Sequence, residues 1–138
     1  MTGTTRGRPS LGRRAAVTAK LPVTVRDVAA ARAKEHGTDL SPFLSDVLCF
    51  HYGRPDLMRH LTQGLLDEHY PVSPLRTDAL GPHQMIRVPQ PVGDLIEDDF
   101  RDRNIDNRST MLADIICLHL GFPGLIRALD MEVMPLAM

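Results

Sequence analysis

Residues 45–61 read SDVLCFHYGRPDLMRHL, and residues 113–129 read ADIICLHLGFPGLIRAL. At an offset of 68 residues, eight of the seventeen pairs are identical: Asp46/Asp114, Cys49/Cys117, His51/His119, Gly53/Gly121, Pro55/Pro123, Leu57/Leu125, Arg59/Arg127 and Leu61/Leu129. Most of the others exchange one apolar residue for another. A repeat this dense means that two similar units share one chain, so their mutual packing governs the fold. Phe43, Leu44, Val47 and Leu48 recur at helical spacing, Cys49 and Phe50 widen the stripe, and Gly53 and Pro55 end it. A helix apolar over so much of its circumference belongs at the centre. Met111, Leu112, Ile115 and Ile116 repeat the stripe, and Gly121 and Pro123 repeat the stop.

Working outward, Asp39 is a suitable N-cap for a helix starting at Leu40, with Ser41 and Pro42 in its first turn. Asn107 and Ser109 are the counterparts. Upstream, Val23 to His36 carries Val25, Val28, Ala29, Arg32 and Ala33 along one helical face and stops at Gly37. The second copy, Val92 to Arg103, has Val92, Leu95, Ile96 and Phe100 as its inner face. A short alternating segment precedes each of these helices. From Ala15 to Leu21, Val17, Ala19 and Leu21 alternate with Ala16, Thr18 and Lys20 before Pro22, which predicts a strand with one apolar face. His83 to Val88, before Pro89, is the second strand. The offset is 67 at Pro22/Pro89 and 68 in the last helix, so one residue is inserted between them, in the inter-helix turn.

Each unit is therefore strand, helix, helix. Such a unit of about 50 residues is marginal alone, and a lone strand leaves backbone groups unpaired. The other repeat supplies the partner. The expected fold is mainly α with a short two-stranded antiparallel ribbon over four helices, the two units forming an intramolecular pseudo-dimer. The layout is a flexible basic arm (1–14), a first unit (15–61), a linker (62–81) with Gly64, Pro71, Pro74, Gly81 and a short helix around Leu65 to His69, a second unit (82–130) opening at Pro82, and an apolar tail (131–138).

The chain has 138 residues, 43% of them hydrophobic, and no Trp, which is ordinary for one globular domain apart from the scarcity of aromatics. No apolar run approaches the ~20 residues of a membrane span, and Met1 to Arg14 lacks the apolar core of a signal peptide. A cytoplasmic protein with no membrane partner and reduced cysteines is expected. The net charge of −1 hides an asymmetry: residues 1–69 hold 10 Lys/Arg against 7 Asp/Glu, and residues 70–138 hold 6 against 10. The first 20 residues carry Arg6, Arg8, Arg13, Arg14 and Lys20 and no acid, a composition that favours polyanions over a merely solvated tail. Within it, Arg6-Gly-Arg-Pro9 resembles the core of an AT-hook, an extended arm for the minor groove.

Three features tie the units to a known pattern: Gly37-Thr-Asp-Leu-Ser-Pro-Phe-Leu-Ser-Asp-Val-Leu48 at the joint between helices, the Leu21-Pro22 step after a short strand, and Gly53-Arg-Pro-Asp-Leu57 at the helix end. Together they resemble the ribbon-helix-helix superfamily of bacterial DNA-binding proteins, over roughly 15–61 and 82–129. Most members carry one unit per chain; this sequence is similar to the rarer single-chain tandem form. The resemblance implies that the paired strands enter the major groove of double-stranded DNA. It makes Ala16, Thr18 and Lys20 outward in the first strand, and His83, Met85 and Arg87 in the second. Lys20 and Arg87, at equivalent places before the prolines, suit guanine O6 or N7. Thr18 suits a base or a thymine methyl, while Ala16 and Met85 offer only apolar contact, a departure from the family. Gln84 would point inward, which leaves the phase of the second strand open. The first turn of each second helix, with Ser41 in one unit and Asn107, Arg108 and Ser109 in the other, would face phosphates; capping alone is an equal reading of the serines.

Cys49/His51 and Cys117/His119 raise a zinc site, but residues two apart on a helix point about 200° apart, so core cysteine and flanking histidine are the expected roles and no metal is expected. Asp94, Glu97, Asp98, Asp99 and Asp102 form a solvated acidic face. There is no Gly-rich phosphate loop, no His-Glu-x-x-His and no nucleophile setting, so neither catalytic residues nor cofactors are expected. The leading expectation is a sequence-specific repressor, of its own operon or as an antitoxin, with two chains able to associate as a dimer of pseudo-dimers on a longer site. The alternatives are a protein-interaction module that binds a toxin-like partner, and an accessory DNA-binding factor in plasmid transfer or partition.

Overall fold

Two strands pair antiparallel into a single ribbon, and four helices cover one of its faces. In the computed structural model, which describes residues 13–60 and 72–129, the order is β1 (Arg14–Pro22), α1 (Val23–Glu35), α2 (Leu40–His51), β2 (Leu80–Pro89), α3 (Gln90–Arg103) and α4 (Arg108–His119). Single 3-10 turns at Pro55–Leu57 and Pro123–Leu125 follow α2 and α4. The short helix expected around Leu65 to His69, the arm residues Arg6 and Arg8, and the tail from 131 lie outside the described residues.

Alternation in sequence becomes alternation of burial. Val17, Ala19 and Leu21 of β1 and Ile86 and Val88 of β2 are buried beneath the ribbon. The register pairs Ala16 with Arg87, Val17 with Ile86, Thr18 with Met85, Ala19 with Gln84 and Lys20 with His83, and shifts between Lys20 and Pro22. The phase of β2 is therefore the one that puts Gln84 on the inner side, opposite Ala19, where its amide turns to donate to the Met85 carbonyl at 2.9 Å. Both strands run longer than the alternation foretells. β2 begins at Leu80 rather than His83, and β1 begins at Arg14, so Arg14 is a strand residue and not the end of the arm.

The helical layer is crossed between the halves. α2 packs on β2 and α4 packs on β1, while α2 and α4 also touch each other. Every residue from Phe43 to Cys49 and from Met111 to Cys117 is buried, so both second helices are central, as their apolar circumference predicts. The first helices are tied across too. The Val23 N–H donates to the Ala79 carbonyl at 2.8 Å, and the Gln90 N–H donates to the Arg13 carbonyl at 3.0 Å. Each first helix thus rests its opening N–H on the residue that leads into the other half's strand.

Helix ends follow local chemistry. Gly53 and Gly121 have φ of 75° and 92°, a left-handed conformation that glycine adopts without a Cβ clash. They let Arg54 N–H reach the Cys49 carbonyl and Phe122 N–H reach the Cys117 carbonyl, both at 2.8 Å, which satisfies the orphan carbonyls of α2 and α4. Gly37 and Asn104 are the left-handed residues after α1 and α3; they are 67 apart, while the N-cap residues Asp39 and Asn107 are 68 apart. The extra residue therefore falls in the inter-helix turn. At the caps the halves differ: the Asn107 side chain accepts from Thr110 N–H at 3.2 Å, whereas Asp39 holds the N-cap position without a side-chain bond.

One residue of an expected inner face turns out, while Val92 and Ile96 are buried and Phe100 packs on the core. Leu95 is exposed, and Val92, Gly93 and Ile96 form the buried face of α3. A Cβ on Gly93 would lie 2.7 Å from the Ala15 Cβ, so the glycine lets α3 close on β1, which turns Leu95 outward.

The repeated aspartates are buried and serve as acceptors. Asp46 takes the Arg59 and His60 N–H groups at 3.0 and 2.7 Å. Asp114 takes those of Arg127, Ala128 and Leu129 at 2.9, 2.6 and 2.9 Å. Each carboxylate pins the chain that returns along its own helix. Asp114→Ala strands three backbone donors and is expected to cost about 3 kcal/mol, and Asp46→Ala about 2 kcal/mol, with Asn variants closer to wild type. Urea unfolding midpoints check this; an Asp114→Ala midpoint equal to wild type would show that the carboxylate does not hold the return segment.

Candidate functional site

The uncovered face of the ribbon is the one extended surface that the strand register organises. Ala16, His83, Met85 and Arg87 are exposed there, Met85 at 52%, and Thr18 and Lys20 are half-buried. All six residues singled out from sequence thus lie on one face. Along the ribbon, Arg87 stands across from Ala16 at one end, Thr18 across from Met85 in the middle, and Lys20 across from His83 at the other end. Thr18 and Met85 are 67 apart in sequence and also face one another. The register therefore maps onto itself under the repeat offset, with Lys20 and Arg87 at matching distances on either side of this central pair.

The cations at the two ends include some that sequence reasoning placed elsewhere or passed over. Arg14, assigned to the arm, donates from Nη2 to the Arg87 carbonyl at 3.0 Å. Its pKa is lowered, first by burial and then by the nearby charge of Arg59, with Arg87 adding to it. Arg127 donates from Nη2 to the Lys20 carbonyl at 3.2 Å. Arg59 and Arg127 were visible as a repeat identity. Their place beside the strands depends on the return segments, which no periodicity reveals.

The proposed phosphate residues at the second helices are more occupied. In α4, Arg108 forms an ion pair with Glu97, Asn107 spends its side-chain oxygen on the cap, and Ser109 Oγ is covered from solvent. Ser41 in α2 is half-buried. Two of the five acids of the α3 face pair along their own helix, Asp98 with Arg101 and Asp99 with Arg103 at 2.8 Å.

Cys49 and Cys117 are free, buried thiols; burial pushes the first up to about 11 and the second to about 12. His51 and His119 end α2 and α4 and meet each other, Nδ1 to Nε2, at 2.9 Å with their rings nearly perpendicular. Phe50 lies edge-on to His119, and Tyr52 edge-on to His51. The Tyr52 hydroxyl donates to Asp99 Oδ2 at 2.7 Å. Each histidine thus bonds its own repeat equivalent, and no group of three or more His, Cys, Asp or Glu is placed to hold a metal among the described residues. No helix among them is long and apolar enough to cross a membrane.

No family model, curated protein or solved structure matches this chain.

The histidine pair makes stability depend on pH. Burial, and then the second imidazole, lower the pKa of His51 to about 4 from an ordinary 6.5; burial lowers that of His119 as well. The unfolded chain then takes up the proton first as pH falls. Stability from the neutral pair is complete above pH 6.5 and is lost down to pH 4, by on the order of 3 kcal/mol for His51. Urea midpoints at pH 7.5, 5.5 and 4.5 should fall steeply for wild type and less for the double variant His51→Leu/His119→Leu. Equal slopes would refute the role of the pair.

Proposed function

We propose that this chain is a sequence-specific double-stranded DNA-binding protein, built as an intramolecular pseudo-dimer of two ribbon-helix-helix units, that lays its ribbon in the major groove and acts as a repressor. One observation carries the reading: a two-stranded ribbon with one face sealed by helices and the other presenting Lys20, Thr18, His83, Met85 and Arg87 at period two. A ribbon of this width fits the major groove, where each base pair shows a distinct donor and acceptor pattern. On this reading Arg87 and Lys20 read guanine in opposite half-sites, Arg87 with a bidentate fork and Lys20 as a point donor. Thr18 and Met85 meet the central step, one able to hydrogen-bond and the other only to touch a methyl. The acidic face of α3 disfavours close approach of phosphates, which leaves the ribbon side as the side for DNA. Repression follows from occupancy of a promoter. Neither a catalytic residue nor a cofactor enters the reading.

The test is selection from random duplexes, followed by affinity measurements over a salt series. Wild type should enrich an asymmetric site and prefer it over random duplex by at least about 1,000-fold. Lys20→Ala and Arg87→Ala should each lose about ten- to a hundred-fold on the selected site, and each should relax the preference at one half-site only. A wild-type protein that enriches no sequence would sink the proposal.

A further inference from the structure

The two ends of the ribbon are flanked by arginines that come from outside the strands. After each second helix the chain turns at Gly53 or Gly121 and runs back, fixed by its backbone N–H groups on Asp46 or Asp114. This return delivers Arg127 to the edge of β1, on the carbonyl of Lys20. The repeat equivalent of Lys20 is Arg87, so the equivalent place for Arg59 is the carbonyl of Arg87. Arg14 occupies that oxygen, and Arg59 is close enough for its charge to disfavour the charge of Arg14. One end of the ribbon thus gathers Arg14, Arg59 and Arg87, and the other gathers Lys20, His83 and Arg127. Arg14, Lys20, Arg87 and Arg127 stand outside the ion pairs Arg54–Asp56, Arg101–Asp98, Arg103–Asp99 and Arg108–Glu97. The charges of Arg59 and Arg87 disfavour that of Arg14 while Asp46 favours it, and an anion at this end of the ribbon would add to the favourable side. A guanidinium that spends one donor on a backbone carbonyl keeps others for an oxyanion.

We infer that Arg14, Arg59 and Arg127 are phosphate-holding residues at the two ends of the ribbon, and that the unequal ends fix the orientation of the chain on its duplex. The inference rests on the proposed DNA reading and adds to it a second class of residue. The strands read bases, and the return segments hold the sugar-phosphate backbone on either side. Arg14 and Arg59 grip the half-site read by Arg87, and Arg127 grips the half-site read by Lys20.

The experiment uses the full chain and the duplex enriched by wild type. Affinity is measured against salt for wild type, Arg14→Ala, Arg59→Ala, Arg127→Ala and, as a control in the last turn of α3, Arg101→Ala. The hydrogen bonds to Asp46 and Asp114 come from backbone N–H groups, so the alanine variants at 59 and 127 keep them; far-UV circular dichroism and urea midpoints verify this. Each of the three variants should lower the salt slope by about 1 and weaken selected and random duplex alike, without changing base preference. Phosphate-ethylation interference should lose signal at one half-site in Arg14→Ala and Arg59→Ala, and at the other in Arg127→Ala. Arg101→Ala should match wild type. Tight wild-type binding with unchanged salt slopes in the three variants would overturn this inference and leave the DNA reading standing. Absence of any preferred duplex for wild type would overturn both.

Discussion

The fold depends on one pairing, that of β1 with β2. A single strand over two helices would expose its backbone donors and acceptors along both edges. Here each strand pairs with the strand of the other half, and each second helix packs on the strand it does not belong to. The first helices begin on carbonyls beside the opposite strand. Remove the pairing and each strand and each second helix loses a partner, although the returns on Asp46 and Asp114 and the packing of α1 on α2 stay within a half. The hydrophobic core is accordingly a shared object: Val17, Leu21, Ile86 and Val88 roof it, and α2 and α4 fill it.

Much of this was legible, and the reasons differ by residue. The stripes Phe43–Leu48 and Met111–Ile116 are periodic and apolar, so their central burial follows from sequence. The alternation through Val17, Ala19 and Leu21 gave the inner face of β1, and with it the outer positions. What stayed hidden is carried by residues whose role depends on a distant partner. Gly93 has no hydropathy signal, and its contact with Ala15 is what turned Leu95 outward. Arg14 looked like arm because charge dominates its neighbourhood; only the register assigns it to the strand. The Asp46/Asp114 identity stood in plain view, yet a carboxylate that serves backbone donors thirteen to fifteen residues later cannot be told from a surface acid. Asp39 and Asn107 share a position and differ in whether the side chain bonds, a distinction of angstroms rather than of residue type.

The repeat is more alike in the shared helical core than on the open face of the ribbon. His51 meets its own equivalent, His119, within the helical layer, and Thr18 meets its equivalent, Met85, on the ribbon. The histidine pair shows what self-contact demands. A neutral imidazole is both donor and acceptor, so two equivalent histidines can satisfy each other, provided that they adopt complementary rather than identical roles. Exact equivalence is thus broken even at an identical pair.

On the open face that restriction is absent, and Thr18 against Met85 shows the freedom. In a chain that pairs with a copy of itself, any change at this central position appears twice and places a residue against its own kind. In a tandem chain the two sides vary independently, so a hydroxyl can stand across from a thioether, and a lysine can balance an arginine four residues from it along the ribbon. Burial fixes the inner face at both copies at once, since α2 and α4 share one core and a volume change in either is felt by both. The same covalent linkage that makes the halves inseparable in packing therefore releases their outer faces from one another. On the proposed function, that release is the advantage of joining two units: the scaffold keeps a two-fold plan while the surface it offers to DNA has a direction.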